Sequence, residues 1–130
     1  MYLPSNFGTV TSYLFVEGAD QFVDFLKSAF DGFFVGCSKR PDGKIANAQV
    51  QIGNVTLMIS EASNQYKSMP SSFYLYVENA DLALAQAIRY GAKLEMAVAD
   101  MPYGDRQGGV RDAFGNIWWI SQRLVEKPYF

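Results

Sequence analysis

The densest group of ionisable side chains is Asp105, Arg106, Arg111 and Asp112, all within eight residues. Read as a lid loop, the segment could place the paired N–H donors of Arg106 or Arg111 on an anionic group, and Arg106 is the candidate ligand contact of the four. The same residue types also form Asp–Arg pairs that hold a long loop against a sheet, and this structural reading is the favoured one. Glu61 and Asp100 are candidate general bases if they fold towards a cleft. Histidine is absent from all 130 residues. That removes Ser–His and Cys–His pairs, imidazole bases and imidazole metal ligands. Any catalysis falls to carboxylates, Tyr, Lys, Cys or backbone groups, and no catalytic residue is assigned. Cys37 stands alone, so an intrachain disulfide is impossible; a buried, inert thiol is expected.

A second chemical pattern is spread over several strands. Successive strand residues point to opposite faces of a sheet. Leu14 and Val16, Leu57 and Ile59, Leu75 and Val77, and Trp118 and Ile120 form mainly aliphatic faces that suit packing under helices. The opposite faces carry Thr11, Tyr13 and Phe15; Thr56, Met58 and Ser60; Ser72, Tyr74 and Tyr76; and Ile117, Trp119 and Ser121. Aromatic bodies mixed with hydroxyls resemble the lining of a small-molecule pocket. Tyr13, Phe15, Met58, Tyr74, Tyr76 and Trp119 are therefore candidate ligand-binding residues, with Arg106 beside them. The alternative is a second core that stacks on a partner subunit.

The elements that must position these residues occur twice. Tyr13-Leu14-Phe15-Val16-Glu17-Gly18-Ala19-Asp20 returns sixty-one residues later as Tyr74-Leu75-Tyr76-Val77-Glu78-Asn79-Ala80-Asp81, with six of eight positions identical. Ile52-Gly53-Asn54-Val55 is echoed by Phe114-Gly115-Asn116-Ile117. Two copies of so long a unit point to a pair of modules rather than a solenoid. Strands are expected at 10–17, 33–38, 46–52 and 55–60, with a helix over 19–30 that stops at Gly32. The second copy predicts a strand at 72–78 and a helix over 81–90. Further strands are expected near 93–97, around Val110 and at 116–122. Glu17 and Glu78 are expected to cap the two helices. Each module then reads strand–helix–strand–strand–strand. The expected organisation is a single domain over 1–130, with module 10–61 and module 72–122 joined by linker 62–71. The tail, 125–130, is expected to pack on the surface or at a dimer contact.

Paired modules of this order resemble the vicinal oxygen chelate superfamily of glyoxalases, bleomycin-resistance proteins and extradiol dioxygenases. The resemblance spans about Val10 to Gln122. Its sharpest part runs from Tyr103-Gly104-Asp105-Arg106 through Asp112-Ala113-Phe114-Gly115-Asn116 to Trp118, similar to the signature of the PhnB-like branch. Pro41-Asp42-Gly43-Lys44, followed by a strand and Ile52-Gly53, is similar to that branch's first half. Ala113 stands where the branch usually has Pro. The resemblance implies an α+β fold, two pseudo-symmetric βαβββ modules forming a curved mixed sheet around a central cleft.

Enzymes of the superfamily hold a divalent metal with four ligands, one on the first and one on the last strand of each module. Carried over by repeat and register, those positions fall on Thr11, Met58, Ser72 and Trp119. Neutral hydroxyls are poor ligands, a thioether prefers soft copper, and indole is only a donor. No metal and no other cofactor is therefore expected. Asn47 and Gln49 stand where many PhnB-like relatives carry a His and a Glu.

The composition is 49% hydrophobic and 18% charged, which fits a globular chain. With a net charge of −2 and a pI near 5.0, no basic stripe is available for nucleic acid. Residues 1–6 lack the pattern of a signal peptide, and no apolar run nears the roughly 20 residues that span a bilayer. A cytoplasmic protein without a membrane partner is expected. The resemblance also implies a homodimer. Three functions follow. The favoured one is a metal-free protein of bleomycin-resistance type that binds a small, partly aromatic or apolar molecule. The second is a glyoxalase-type lyase or isomerase with a relocated metal or carboxylate site. The third is a dimeric interaction protein with no small ligand.

Overall fold

The computed structural model describes residues 1–130. Two compact units result, Met1–Met69 and Pro70–Phe130. The first contains β1 (Tyr13–Val16), α1 (Ala19–Phe30), β2 (Phe33–Lys39), β3 (Ile45–Ile52) and β4 (Val55–Glu61). The second contains β5 (Ser72–Tyr76), α2 (Ala80–Arg89), β6 (Lys93–Asp100), β7 (Asp105–Arg111) and β8 (Ile117–Arg123). The sheet orders are β1-β4-β3-β2 and β5-β8-β7-β6. In both sheets the first strand lies parallel to the last, and the remaining pairs are antiparallel. The βαβββ order expected from the repeat is thus present twice, as two four-stranded mixed sheets.

The faces divide as alternation requires. In the first unit Leu14, Val16, Ala48, Val50, Leu57 and Ile59 are buried with Phe22, Val23, Phe25, Leu26, Ala29 and Phe30 of α1. In the second unit Val110, Trp118 and Ile120 are buried with Ala80, Leu84 and Ala87 of α2. Burying such aliphatic and aromatic side chains contributes roughly 1.5–3 kcal/mol each, so these layers hold the units together. Phe73 adds a ring stacked on Trp118, centroids 4.3 Å apart.

Helix ends explain several chain details. Asp31, not Gly32, takes the left-handed conformation after α1 (φ 55°), which a short polar residue tolerates. Gly32 is needed for space. Its N–H returns to the Leu26 carbonyl at 3.0 Å, and a Cβ there would lie 2.7 Å from Val50 Cγ1. Glu17 and Glu78 do not cap the helices. The Glu61 carboxylate accepts from Gly18 N–H at 3.0 Å and Ala19 N–H at 2.9 Å. Asn79 accepts from Leu82 N–H, and Gln122 accepts from Ala80 N–H. A carboxylate placed at the N-terminus of α1 also meets the positive end of the helix dipole.

Three further expectations are corrected. Cys37 is exposed, because β2 is an edge strand with solvent along most of its length. The segment carrying Asp105 to Arg111 is strand β7, paired on both sides, rather than a lid loop. It reads poorly as a strand because Gly108 and Gly109 lack strand propensity, yet both sit where a Cβ would collide with neighbours. The first strand is short, Tyr13–Val16, so Thr11 lies just before it.

Candidate functional site

Ladder register assigns one face of the second sheet. Ser72, Tyr74 and Tyr76 pair with Ile117, Trp119 and Ser121, which pair in turn with Arg111, Gly109 and Gln107. Asp105 and Arg123 form the next pair on the same face. The side chains are densely connected. The Trp119 indole N–H donates to Ser72 Oγ at 3.0 Å. Its ring lies across Gly109, where a Cβ would come within 2.8 Å of it. The Tyr74 and Tyr76 rings are 5.3 Å apart. Gln107 donates to Ser121 Oγ at 2.7 Å and accepts from the Tyr103 hydroxyl.

Asp105 is the centre of this network and has no solvent exposure. Oδ2 accepts from the Tyr74 hydroxyl and, at 2.5 Å, from the Tyr129 hydroxyl. Oδ1 accepts from Arg123 Nη1 at 2.9 Å. Burial pushes the carboxyl pKa up, but the two phenols and the guanidinium outweigh it and hold the group below its ordinary range. The same contacts act on the partners. Burial and the Asp105 carboxylate raise Tyr74, and the desolvated position of its hydroxyl beside Asp105 raises Tyr129 strongly. Both phenols therefore stay neutral donors to an ionised carboxylate. The C-terminal segment is drawn onto the face with them. Arg123 Nη2 donates to the Lys127 carbonyl at 2.6 Å, and the guanidinium carbon lies 4.0 Å from the Tyr129 ring centroid.

The first sheet repeats the arrangement more simply. Tyr13 pairs with Met58, which pairs with Gln49, and Phe15 pairs with Ser60. The Tyr13 and Phe15 rings are 5.1 Å apart, and Phe15 stacks on Tyr66 at 5.5 Å. A pocket of about 280 Å³ lies on the outer strands β2 and β3, lined by Val35, Gly36, Cys37, Ser38, Asn47 and Gln49.

The structure brings together Tyr74, Tyr76 and Trp119 on one face and Tyr13, Phe15 and Met58 on another. It does not bring Arg106 to either. Arg106 pairs with Gln122 and Asp100 on the helix side of the second sheet. There its guanidinium binds Asp81 through Nε at 2.7 Å and Asp100 through Nη1 at 2.9 Å. These carboxylates raise the Arg106 pKa further, and Arg106 lowers that of Asp81. The four-residue charged cluster is thus dispersed. Arg111 binds Glu95, Asp105 binds Arg123, and Asp112 serves a turn. The buried Asp112 carboxylate accepts from Phe114 N–H, Asn116 N–H, Asn116 Nδ2 and Trp118 Nε1, all at 2.9–3.0 Å. Glu61 and Asp100, the candidate bases, are both engaged as described.

The four positions that the resemblance implied for metal ligands carry other contacts. Ser72 and Trp119 are hydrogen-bonded to each other, and the Thr11 hydroxyl donates to the Gly8 carbonyl at 3.4 Å. Met58 offers only a thioether. No group of three or more His, Cys, Asp or Glu side chains is placed to hold a metal ion. The residues present do not fit the divalent metal of the related enzymes.

Comparison with known proteins agrees with this geometry. The family model described as the Glyoxalase/Bleomycin resistance protein/Dioxygenase superfamily matches residues 7–120. The chain belongs to this superfamily. Among superfamily-like relatives, the uncharacterised protein Mb0911c of Mycobacterium bovis is 32% identical over 128 residues, covering 90% of this chain and 84% of its own. The PhnB protein from Bacillus cereus superposes with a TM-score of 0.70 at 19% identity, covering 88% of this chain and 99% of its own. TnmS3 of Streptomyces sp. CB03234, an antibiotic binding protein, gives 0.69 at 15% identity, with 89% and 98% covered. At those identities the two structures share the glyoxalase/bleomycin-resistance fold with this chain. No helix is long and apolar enough to cross a membrane.

Two features of the site escaped sequence reading. Asp105 belongs to a recognisable motif, but spacing groups it with Arg106, Arg111 and Asp112; its burial depends on partners at 74, 123 and 129. Tyr129 had no signal beyond being aromatic, because it lies outside the repeat.

Proposed function

We propose that this protein binds a small, flat, partly aromatic molecule on the sheet face that carries Tyr74, Tyr76 and Trp119, without a metal. The observation that carries the reading is the Trp119 ring lying across Gly109 with its N–H already satisfied by Ser72. What remains for a ligand is a half-exposed aromatic surface beside two tyrosine rings, which favours stacking over coordination. TnmS3, with the same fold, is an antibiotic binding protein, and that supports a binding role. Tyr13, Phe15 and Met58 form the corresponding face of the first module and belong to the same reading. Arg106 does not. A homodimer is part of the proposal, supported by the open β2 edge, where Phe33, Phe34 and Val35 are exposed.

Tryptophan fluorescence tests it. Trp118 is buried at 2% exposure and Trp119 is not, so a panel of fused-ring aromatic compounds should quench wild-type emission. Trp119→Phe should abolish that response. A panel of such compounds that leaves Trp119 emission unchanged would overturn the proposal.

A further inference from the structure

The face proposed for ligand binding already holds an aromatic hydroxyl from its own chain. Tyr129 comes from a segment without regular structure and keeps 42% of its surface exposed. Its hydroxyl nevertheless reaches the wholly buried Asp105 at 2.5 Å and the Tyr76 hydroxyl at 2.7 Å. Its ring lies under the Arg123 guanidinium. We propose that Asp105, Tyr76 and Arg123 form a subsite for the phenolic hydroxyl of an aromatic ligand, and that Tyr129 is its intramolecular occupant, displaced when the ligand binds. This rests on the aromatic-binding reading above and adds the ligand class.

The chemistry of each wall selects a phenol. Asp105 Oδ1 is taken by Arg123, and Oδ2 is shared between Tyr74 and Tyr129. Tyr74 lies within strand β5, whereas Tyr129 lies outside any strand or helix, so one acceptor direction on Oδ2 depends on a donor that no sheet ladder holds. A buried carboxylate oxygen that loses its donor is costly to leave unpaired. An incoming group must therefore donate, and an anion would be repelled by Asp105. Arg123 is already engaged on the side that faces Asp105. Its Nη1 donates to Asp105 and the Tyr103 carbonyl, and Nη2 donates to the Lys127 carbonyl. What it still offers is a flat cationic face at ring-stacking distance. A neutral hydroxyl on an aromatic ring satisfies both walls, as Tyr129 does.

Calorimetric titration with 2-naphthol and with 2-methoxynaphthalene, its non-donating ether, tests the proposal. An internal occupant lowers apparent affinity by the fraction of time the subsite is free, so Tyr129→Ala should bind 2-naphthol about tenfold more tightly than wild type. Tyr129→Phe should tighten it as well. In Tyr129→Ala the ether should bind at least about tenfold more weakly than 2-naphthol, because it brings no donor to Asp105. Limited carboxypeptidase digestion of wild type should accelerate on adding 2-naphthol, reporting release of the tail. Equal affinity for alcohol and ether, unchanged by Tyr129→Ala, would leave aromatic binding intact and overturn the phenol subsite. Binding of neither compound to wild type or variant would overturn both readings.

Discussion

Glu61 and Gln122 stand sixty-one residues apart, at the same position of the repeat, and each accepts the N–H of the first residue of its own module's helix. Glu61 accepts from Ala19 and Gln122 from Ala80. The last strand of each module thereby fastens the helix that follows the module's first strand. The two copies have diverged in strength. Glu61 supplies a charge and takes a second N–H, from Gly18, while α2 has its own side-chain cap in Asn79.

That divergence makes α1 the more dependent helix. Glu61→Ala should destabilise the protein by about 1–2 kcal/mol, and Gln122→Ala by about 0.5–1 kcal/mol because Asn79 remains. Glu61→Gln should recover part of the loss by restoring an acceptor without the charge. Urea unfolding midpoints of the three variants would decide. Equal losses for Glu61→Ala and Gln122→Ala would mean that the charge at α1 contributes nothing.

Asp112 should matter to folding rather than to binding. Its carboxylate is the common acceptor for two backbone N–H groups, an amide and the Trp118 indole, all in a turn with little water. Asp112→Ala strands several donors at once, at about 1–3 kcal/mol each where no water replaces the acceptor, giving a loss of roughly 3–5 kcal/mol. Near-ultraviolet circular dichroism should lose the Trp118 signal as the turn loosens. Retention of full stability in Asp112→Ala would contradict the turn's dependence on the carboxylate.

The Asp105 network sets a pH window. Asp105 has a folded pKa below its unfolded value, so its contribution is present above the ordinary aspartate range and is lost as pH falls through the folded pKa. Tyr74 and Tyr129 have raised values, so their contribution is present below the ordinary tyrosine pKa near 10 and is lost as pH rises past it. Stability should be flat near neutrality and fall on both sides. In Tyr129→Phe the alkaline fall should be smaller. Chemical denaturation across pH 3–11 would measure this, and an identical alkaline limb in wild type and Tyr129→Phe would contradict it.

The placement of Arg106 shows why motif spacing misleads about sites. Asp105 and Arg106 are neighbours in a strand, so their side chains leave opposite faces of the sheet. One joins the tyrosine network and the other pairs with Asp81 of α2 and Asp100 of β6. A reading that treats them as one loop cluster cannot separate them until β7 is known to be paired on both sides. Gly108 and Gly109 obscured that strand, since their role is to admit Leu84 and Trp119.

By itself the sequence determined the two modules, the helix and strand order, and which strand residues face the helices. Those follow from repetition and from periods of 3.6 and 2, which are local properties of the chain. It also limited the chemistry open to Thr11, Met58, Ser72 and Trp119, because residue identity limits what a side chain can ligate. Tertiary structure alone decided where the charges go. Glu61 reaches Gly18 and Ala19, Arg106 reaches Asp81, and Tyr129 closes over Asp105, each across a long stretch of chain. Such pairings depend on strand register and on the path of a tail outside the repeat. Neither leaves a periodic trace, because a hydrogen bond between distant residues constrains only the two side chains that make it.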